Sequence, residues 1–160
     1  MNGLLSKKCA AELGRSFIEK GKKLTFTNGC FDVLHIGHVR YLKEAASLGD
    51  ALLVGLNSDA SVRRLKGPER PVNSQEERAE MLLALRFVDY VVIFDEETPL
   101  DLIREVQPFY LVKGGDWPPE SIVGARDVLD RGGEVRSLPY VPGKSTSNLI
   151  EKIRQIEEKR

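Results

Sequence analysis

Short apolar runs alternate with longer amphipathic stretches along almost the whole chain, and this pattern constrains the fold more than any other feature. "KLTFT" (23–27), "ALLVGL" (51–56), "VDYVVIF" (88–94), "FYLVK" (109–113) and "EVRSL" (134–138) read as strands. Between them, helical spacing spans 36–48, 74–85, 100–106 and 120–131. A final helix starts near Ser145 and runs to about 157, and another precedes the first strand over 4–20. Ser74 with Glu77 three residues on has the spacing of a capping box, and Pro99 suits a first helical turn. Strands that alternate with helices pair in parallel through right-handed crossovers. The expected architecture is therefore α/β: a Rossmann-like, doubly wound five-stranded parallel sheet with helices on both faces.

The chain of 160 residues suits one domain over 1–160, with 1–21 as an extra N-terminal helix. Twenty-four basic residues balance 24 acidic ones, which argues against a surface built for nucleic acid or an anionic membrane. No apolar run approaches the roughly 20 residues of a membrane span, and the N-terminus lacks the apolar core of a signal peptide. The two cysteines, Cys9 and Cys30, form no spaced framework and read as free thiols. A cytoplasmic protein is expected.

Ligands of such sheets bind beyond the carboxyl ends of the strands, where strand order reverses. The first such segment, "NGCFDVLHIGH", holds both histidines of the chain, His35 and His38. They share one face of an opening helix, and Gly37 between them lets a ligand approach the backbone. Free N–H groups and the positive dipole end at a helix start favour an anion. The spacing alone leaves three readings open: local structural partners, part of a metal site, or donors to phosphate oxygens. No third metal ligand is evident, and no protein metal site is expected.

Three further segments carry chemistry. "SVRRLKGPERP" sets Arg63, Arg64, Lys66 and Arg70 against one acid, either as a solvated helix end or as phosphate contacts. "GGDW" allows a tight turn at Gly114 and Gly115. Asp116 is suited to bond a ribose or base there, Trp117 to stack on a base or simply to pack, and Lys113 to meet a phosphate. "PGKST" looks like the tail of a P-loop, but the first glycine of that motif would fall on Leu138, so a P-loop is rejected. Ser145 and Thr146 can cap the last helix and hold an anion at once.

"TNGCFDVLHIGHVRYL" resembles the first motif of the H-x-G-H nucleotidyltransferases, a superfamily that includes cytidylyltransferases and class I aminoacyl-tRNA synthetases. "GLNSDASVRRLKGPERPVNSQEERAEML", "LVKGGDW", "IVGARDVLDRGGEV" and "PGKSTSNLI" narrow the resemblance, over about residues 22–155, to the heptose 1-phosphate adenylyltransferase domain of bacterial ADP-heptose synthesis. That resemblance implies transfer of AMP from ATP to D-glycero-β-D-manno-heptose 1-phosphate for lipopolysaccharide core synthesis. The alternative is a cytidylyltransferase acting on an alcohol phosphate such as glycerol 3-phosphate, and from another class a nucleotide-binding regulatory module.

It implies His35, His38, Lys66 and Arg78 as catalytic residues, the last matching an arginine of related cytidylyltransferases. Asn28, Gly29, Cys30, Phe31, Gly37, Lys113, Gly115, Asp116, Trp117, Ser145 and Thr146 would hold the nucleotide, and Asp32, Asn57 and Asp59 the sugar phosphate. Mg²⁺ would accompany ATP. In this family the domain is often fused behind a sugar kinase; the resemblance here is to the freestanding form, so a separate heptose 7-phosphate kinase is expected, and a homodimer is left open. One departure stands out: glycerol 3-phosphate cytidylyltransferases carry an arginine where this chain has Tyr140, so one phosphate contact must come from elsewhere.

Overall fold

A computed structural model describes residues 2–159; Met1 and Arg160, the two ends of the expected domain, lie outside the described residues. Six parallel strands form one sheet: β1 (Leu4–Leu5), β2 (Leu24–Gly29), β3 (Ala51–Asn57), β4 (Tyr90–Phe94), β5 (Tyr110–Gly114) and β6 (Glu134–Leu138). Their order is β1-β4-β3-β2-β5-β6. The five expected strands are all present. The sixth, β1, replaces the start of the expected 4–20 helix, which begins only at Lys7 as α1 (Lys7–Glu19), capped by Ser6. Two residues are too few to show a period of two; β1 exists because Leu4 and Leu5 add to the edge of β4 beside Val91 and Val92.

The remaining helices are α2 (Ile36–Ala46), α3 (Asp59–Lys66), α4 (Gln75–Leu83), α5 (Leu100–Val106), α6 (Ala125–Asp130) and α7 (Thr146–Glu158). The capping box of α4 forms as its spacing predicts: Glu77 N–H donates to Ser74 Oγ, and Ser74 N–H to the Glu77 carboxylate. α6 starts later than expected, after a 3₁₀ turn at Pro119–Ser121.

The sheet separates two cores. On one face Ala10 of α1, Leu102, Ile103 and Val106 of α5 and Val128 of α6 bury against Phe26, Leu53, Val92 and Leu111. On the other, Leu42 and Ala45 of α2 and Ala79 and Leu82 of α4 bury against Leu52, Val54, Val91 and Val112. Apolar area removed from water at roughly 25 cal/mol per Å² makes these two layers the main stabilising term. α1 and α5 touch through their backbones, because a Cβ on Gly14 would come within 1.8 Å of the Val106 carbonyl oxygen. α7 buries none of its residues. Among the described residues no helix is long and apolar enough to cross a membrane.

This strand order sets the position of the site. The chain winds from β2 through β3 to β4, then crosses back to β5 on the other side of β2. β2 stays paired with β3 as far as Gly29 opposite Leu56, whereas its register with β5 ends at Phe26 opposite Leu111. Beyond that point the Val112 carbonyl accepts from the hydroxyls of Thr27 and Tyr41 instead of from a strand neighbour. The two central strands therefore part at their carboxyl ends, which is where a doubly wound sheet opens a crevice.

Candidate active site

A cleft of about 860 Å³ occupies this crevice. Its middle is formed by the segment after β2 and the start of α2, lined by Asn28, Gly29, Cys30, Phe31, Asp32, His35, Gly37 and His38. From the β3 side come Asn57, Lys66 and Arg70; from the β5–β6 side come Lys113, Gly114, Tyr140, Lys144, Ser145 and Thr146.

The two histidines build the helix start that presents them. His35 is the N-cap of α2, and its Nδ1 accepts the N–H of Gly37 at 3.0 Å. His38 takes the place of the usual glutamate of a capping box, its Nδ1 accepting the N–H of His35 at 3.4 Å. The rings stack with centroids 3.9 Å apart, and Phe31 meets His38 edge-on at 5.3 Å. An imidazole nitrogen that accepts a backbone N–H carries no proton, so each neutral ring holds its proton on Nε2 and has one donor left to offer. The plain structural reading holds for Nδ1, which caps the helix, while among the described residues no hydrogen bond engages either Nε2–H, the group that the phosphate reading requires.

Burial, with the neighbouring His35, lowers the His38 pKa to about 4; burial and then the Lys144 charge lower that of His35. Both rings are neutral at pH 7. The expected NMR titration of the His38 ring is centred near 4, well below the ordinary imidazole value of about 6.5. Linkage gives the sign for stability: between those two values the unfolded chain binds the proton and the folded one does not, so stability falls as pH drops through this window. A His38 ring titrating at the ordinary value would contradict the burial and the tautomer together.

A second helix start reaches the same cleft. Ser145 caps α7, its Oγ accepting the N–H of Asn148 at 3.0 Å, and Thr146 Oγ1 donates to the Val33 carbonyl at 3.0 Å. That last bond ties α7 to the histidine segment. The two helix starts lie so close that a Cβ on Gly37 would sit 3.4 Å from the Lys144 Cβ. The geometry gathers two dipole ends, two imidazole N–H groups and the Lys144 ammonium at one point, which is an arrangement for a polyanion.

Several expected residues stand elsewhere or are otherwise engaged. Arg78 is fully buried beneath the cleft. Its guanidinium donates to the carbonyls of Asn73, Cys30 and Asn57 and to Asp59 Oδ1, so it braces the cleft floor and, unlike the histidines expected beside it as catalytic, does not line the cleft. Asp59 is held by that ion pair and does not line the cleft. Asn57 lines it, with its amide donating to Ser61 Oγ at 2.9 Å.

Asp32 lines the cleft but is only 2% exposed, and its carboxylate accepts from Arg70 Nε and the N–H groups of Val72 and Asn73. Burial alone would raise its pKa; the Val72 N–H, the Arg70 guanidinium and the Asn73 N–H outweigh that and hold it below the ordinary value. It fastens the segment after α3 to the histidine loop. Cys30 is half-buried, its thiol pushed up by burial against the opposing charges of Lys66, Arg78 and Arg70.

Gly115, Asp116 and Trp117 fall just outside the cleft lining. The Trp117 indole N–H donates to the Gly114 carbonyl at 3.2 Å, and the Lys113 ammonium lies 5.3 Å from its ring centre. Cleft residues outside the expected set include Tyr140 and Lys144, and Arg70 was named only as part of the basic cluster. Lys144 was legible in principle, since it directly precedes the cap residue Ser145; the others depend on loop paths. Among the described residues, no group of three or more His, Cys, Asp or Glu side chains converges in a way that could hold a metal ion.

Known proteins similar to this chain were found by sequence and by fold. A family model described as cytidylyltransferase-like matches residues 26–151. The bifunctional protein HldE of Geotalea uraniireducens is 62% identical over 135 residues, 84% of this chain and 28% of that protein. The bifunctional protein HldE of Wolinella succinogenes is 52% identical over 150 residues, 94% of this chain and 31% of that one. The chain thus spans under a third of the length of these curated relatives.

Among solved structures, a lipopolysaccharide core biosynthesis protein from Thermoplasma volcanium overlays with a TM-score of 0.60 at 28% identity, covering 76% of this chain and 98% of that one. A pantoate–β-alanine ligase from Francisella tularensis, at 14% identity and a TM-score of 0.58 over 92% of this chain and 69% of its own, shares the fold. With the matched region running from β2 into α7 and enclosing both helix starts of the cleft, the chain belongs to the cytidylyltransferase-like family.

Proposed function

We propose that the chain is an adenylyltransferase that moves AMP from ATP to D-glycero-β-D-manno-heptose 1-phosphate, giving ADP-heptose and pyrophosphate. The observation that carries this reading is the convergence of the α2 and α7 starts, with both histidines, on one cleft. The choice of adenine and of the heptose is supported by the motif resemblance, by the HldE relatives and by the lipopolysaccharide core biosynthesis protein of similar fold.

A phosphate oxygen of the sugar 1-phosphate attacks the α-phosphorus in line. The bond from that phosphorus to the bridging oxygen breaks, and pyrophosphate carries the electron pair away. The attacking group is already an anion near pH 7, so no general base is required. The work of the protein is to hold two polyanions together and to stabilise the charge that builds on the α-phosphate. The Nε2–H groups of His35 and His38 donate to those oxygens. The free N–H groups of α7, with Ser145, Thr146 and Lys144, hold the departing pyrophosphate. Lys66 and Arg70 meet the sugar phosphate from the β3 side. A Mg²⁺ ion would be carried in on the triphosphate, because among the described residues no cluster of side chains offers it a cage of its own. There it would neutralise phosphate charge. The sugar 1-phosphate has to come from a phosphorylating reaction, and the cytoplasm is the compartment where ATP would meet it.

Pyrophosphate release with heptose 1-phosphate, measured with ATP and CTP in parallel, tests the proposal. Turnover is expected with ATP and little with CTP. Turnover with CTP and glycerol 3-phosphate alone would replace this reading with that of a cytidylyltransferase.

A further inference from the structure

Tyr140 presents the largest unexplained apolar surface in the cleft. It is 67% exposed, and none of the hydrogen bonds among the described residues involves its hydroxyl. It therefore neither fills a core nor braces a loop. Its ring is nonetheless seated: a Cβ on Gly114 would meet Tyr140 Cε1 at 2.9 Å, and one on Gly115 would meet Cε2 at 3.0 Å. The bare backbone at the end of β5 thus beds one side of the Tyr140 ring at Gly114, and at Gly115 it is shared with Trp117, whose Nε1 a Cβ there would meet at 2.7 Å. Gly115, at φ +112°, adopts a conformation that a residue with a Cβ would take only with strain. The exposed remainder of the ring borders the cleft.

We infer that Tyr140 is the stacking platform for the base of the nucleotide, and that it favours a purine. The inference deepens the proposed function and rests on that reading of the cleft. Strand order decides which substrate the ring can meet. β2 lies between β3 and β5, so the histidine segment is central, with Lys66 and Arg70 on one side and Tyr140 on the other. Tyr140, Lys144 and Ser145 belong to the same short segment between β6 and α7, and Thr146 follows as the first residue of α7. A nucleotide whose triphosphate lies at the α7 start thus extends its base along that segment, while the sugar phosphate takes the opposite, cationic side. Trp117, the residue that the sequence offers for stacking, has its indole N–H spent on the Gly114 carbonyl and stands outside the cleft lining. An aromatic ring stacked on a base contributes substantially to affinity, and the larger purine covers more of it.

Calorimetry on the full chain with MgATP, and separately with inorganic tripolyphosphate, tests this for the wild type, Tyr140→Ala and Tyr140→Phe. Tyr140→Ala is expected to weaken ATP binding by about 10- to 100-fold, while tripolyphosphate, which has no base, binds within about twofold of wild type. Tyr140→Phe keeps the ring and should bind ATP nearly as wild type does. CTP should lose less than ATP in Tyr140→Ala. Equal losses for ATP and tripolyphosphate, an unchanged ATP affinity, or a rise confined to the KM for the sugar phosphate would each overturn the assignment. The failures are separable. A wild type that binds neither ATP nor tripolyphosphate overturns the cleft reading and this one with it. ATP binding that depends on Tyr140 without AMP transfer leaves the platform standing and removes the proposed reaction.

Discussion

His38→Ala should lower kcat by on the order of 10²- to 10³-fold, the cost of losing one preorganised donor to a developing charge. The ring is neutral, holds its proton on Nε2, and is fixed by three contacts: the His35 N–H, the His35 ring and the Phe31 edge. A donor held so firmly needs no reorganisation as negative charge gathers on the α-phosphate. Because the additional charge appears only as the transition state is reached, the loss should fall on kcat and leave the KM for ATP within a few-fold. The substitution also removes half of the capping box of α2, so thermal unfolding must be measured beside turnover; removing such a cap costs about 1 kcal/mol, which leaves the fold intact. Near-normal kcat in a folded His38→Ala would take this ring out of the mechanism.

Arg78→Ala should instead act on the fold, with a loss of about 3–5 kcal/mol in the free energy of unfolding measured by urea. The guanidinium is fully buried and joins three segments that are distant in sequence: the Cys30 and Asn57 carbonyls at the ends of β2 and β3, Asp59 at the start of α3, and Asn73 before α4. Its removal leaves three carbonyls and a carboxylate without their donor. Arg78→Lys should recover little of the loss, because a single ammonium cannot reproduce a planar fork that reaches four acceptors. A direct catalytic role predicts the opposite: stability near wild type in Arg78→Ala, with turnover abolished. Urea midpoints for both variants separate the two.

The contrast between these two residues shows what a sequence conveys. His35 and His38 were legible because their environment is local: a strand ends, a helix begins, and both rings belong to that one turn. Ser145 was legible for the same reason. Arg78 matched a family position, yet its surroundings "EERAEM" read as a polar helix surface, and nothing local reveals that the guanidinium turns inward to bind three loops. Asp32 is similar. Its partners, Arg70, Val72 and Asn73, come from a segment some 40 residues away, so its engagement is a tertiary fact.

The sheet was legible as five strands because each spans enough residues to show its period, and its centre was legible because parallel βαβ units wind in one hand. β1 was not, since two leucines have no measurable period. α3 was hidden by its charges: in "DASVRRLK" only Val62 and Leu65 are large and apolar, and only Val62 of the two is buried. Tyr140 could not be recognised as part of the cleft without the path of the segment between β6 and α7, which lays the ring over a glycine pair some 25 residues earlier.

The most direct test of the account is a crystal structure of the chain with Mg²⁺ and a non-hydrolysable ATP analogue. The account predicts the α-phosphate within hydrogen-bond reach of the Nε2 atoms of His35 and His38, with the outer phosphates on the N–H groups that open α7. A triphosphate bound elsewhere, or one that contacts α7 while both imidazoles stay out of reach, would contradict it.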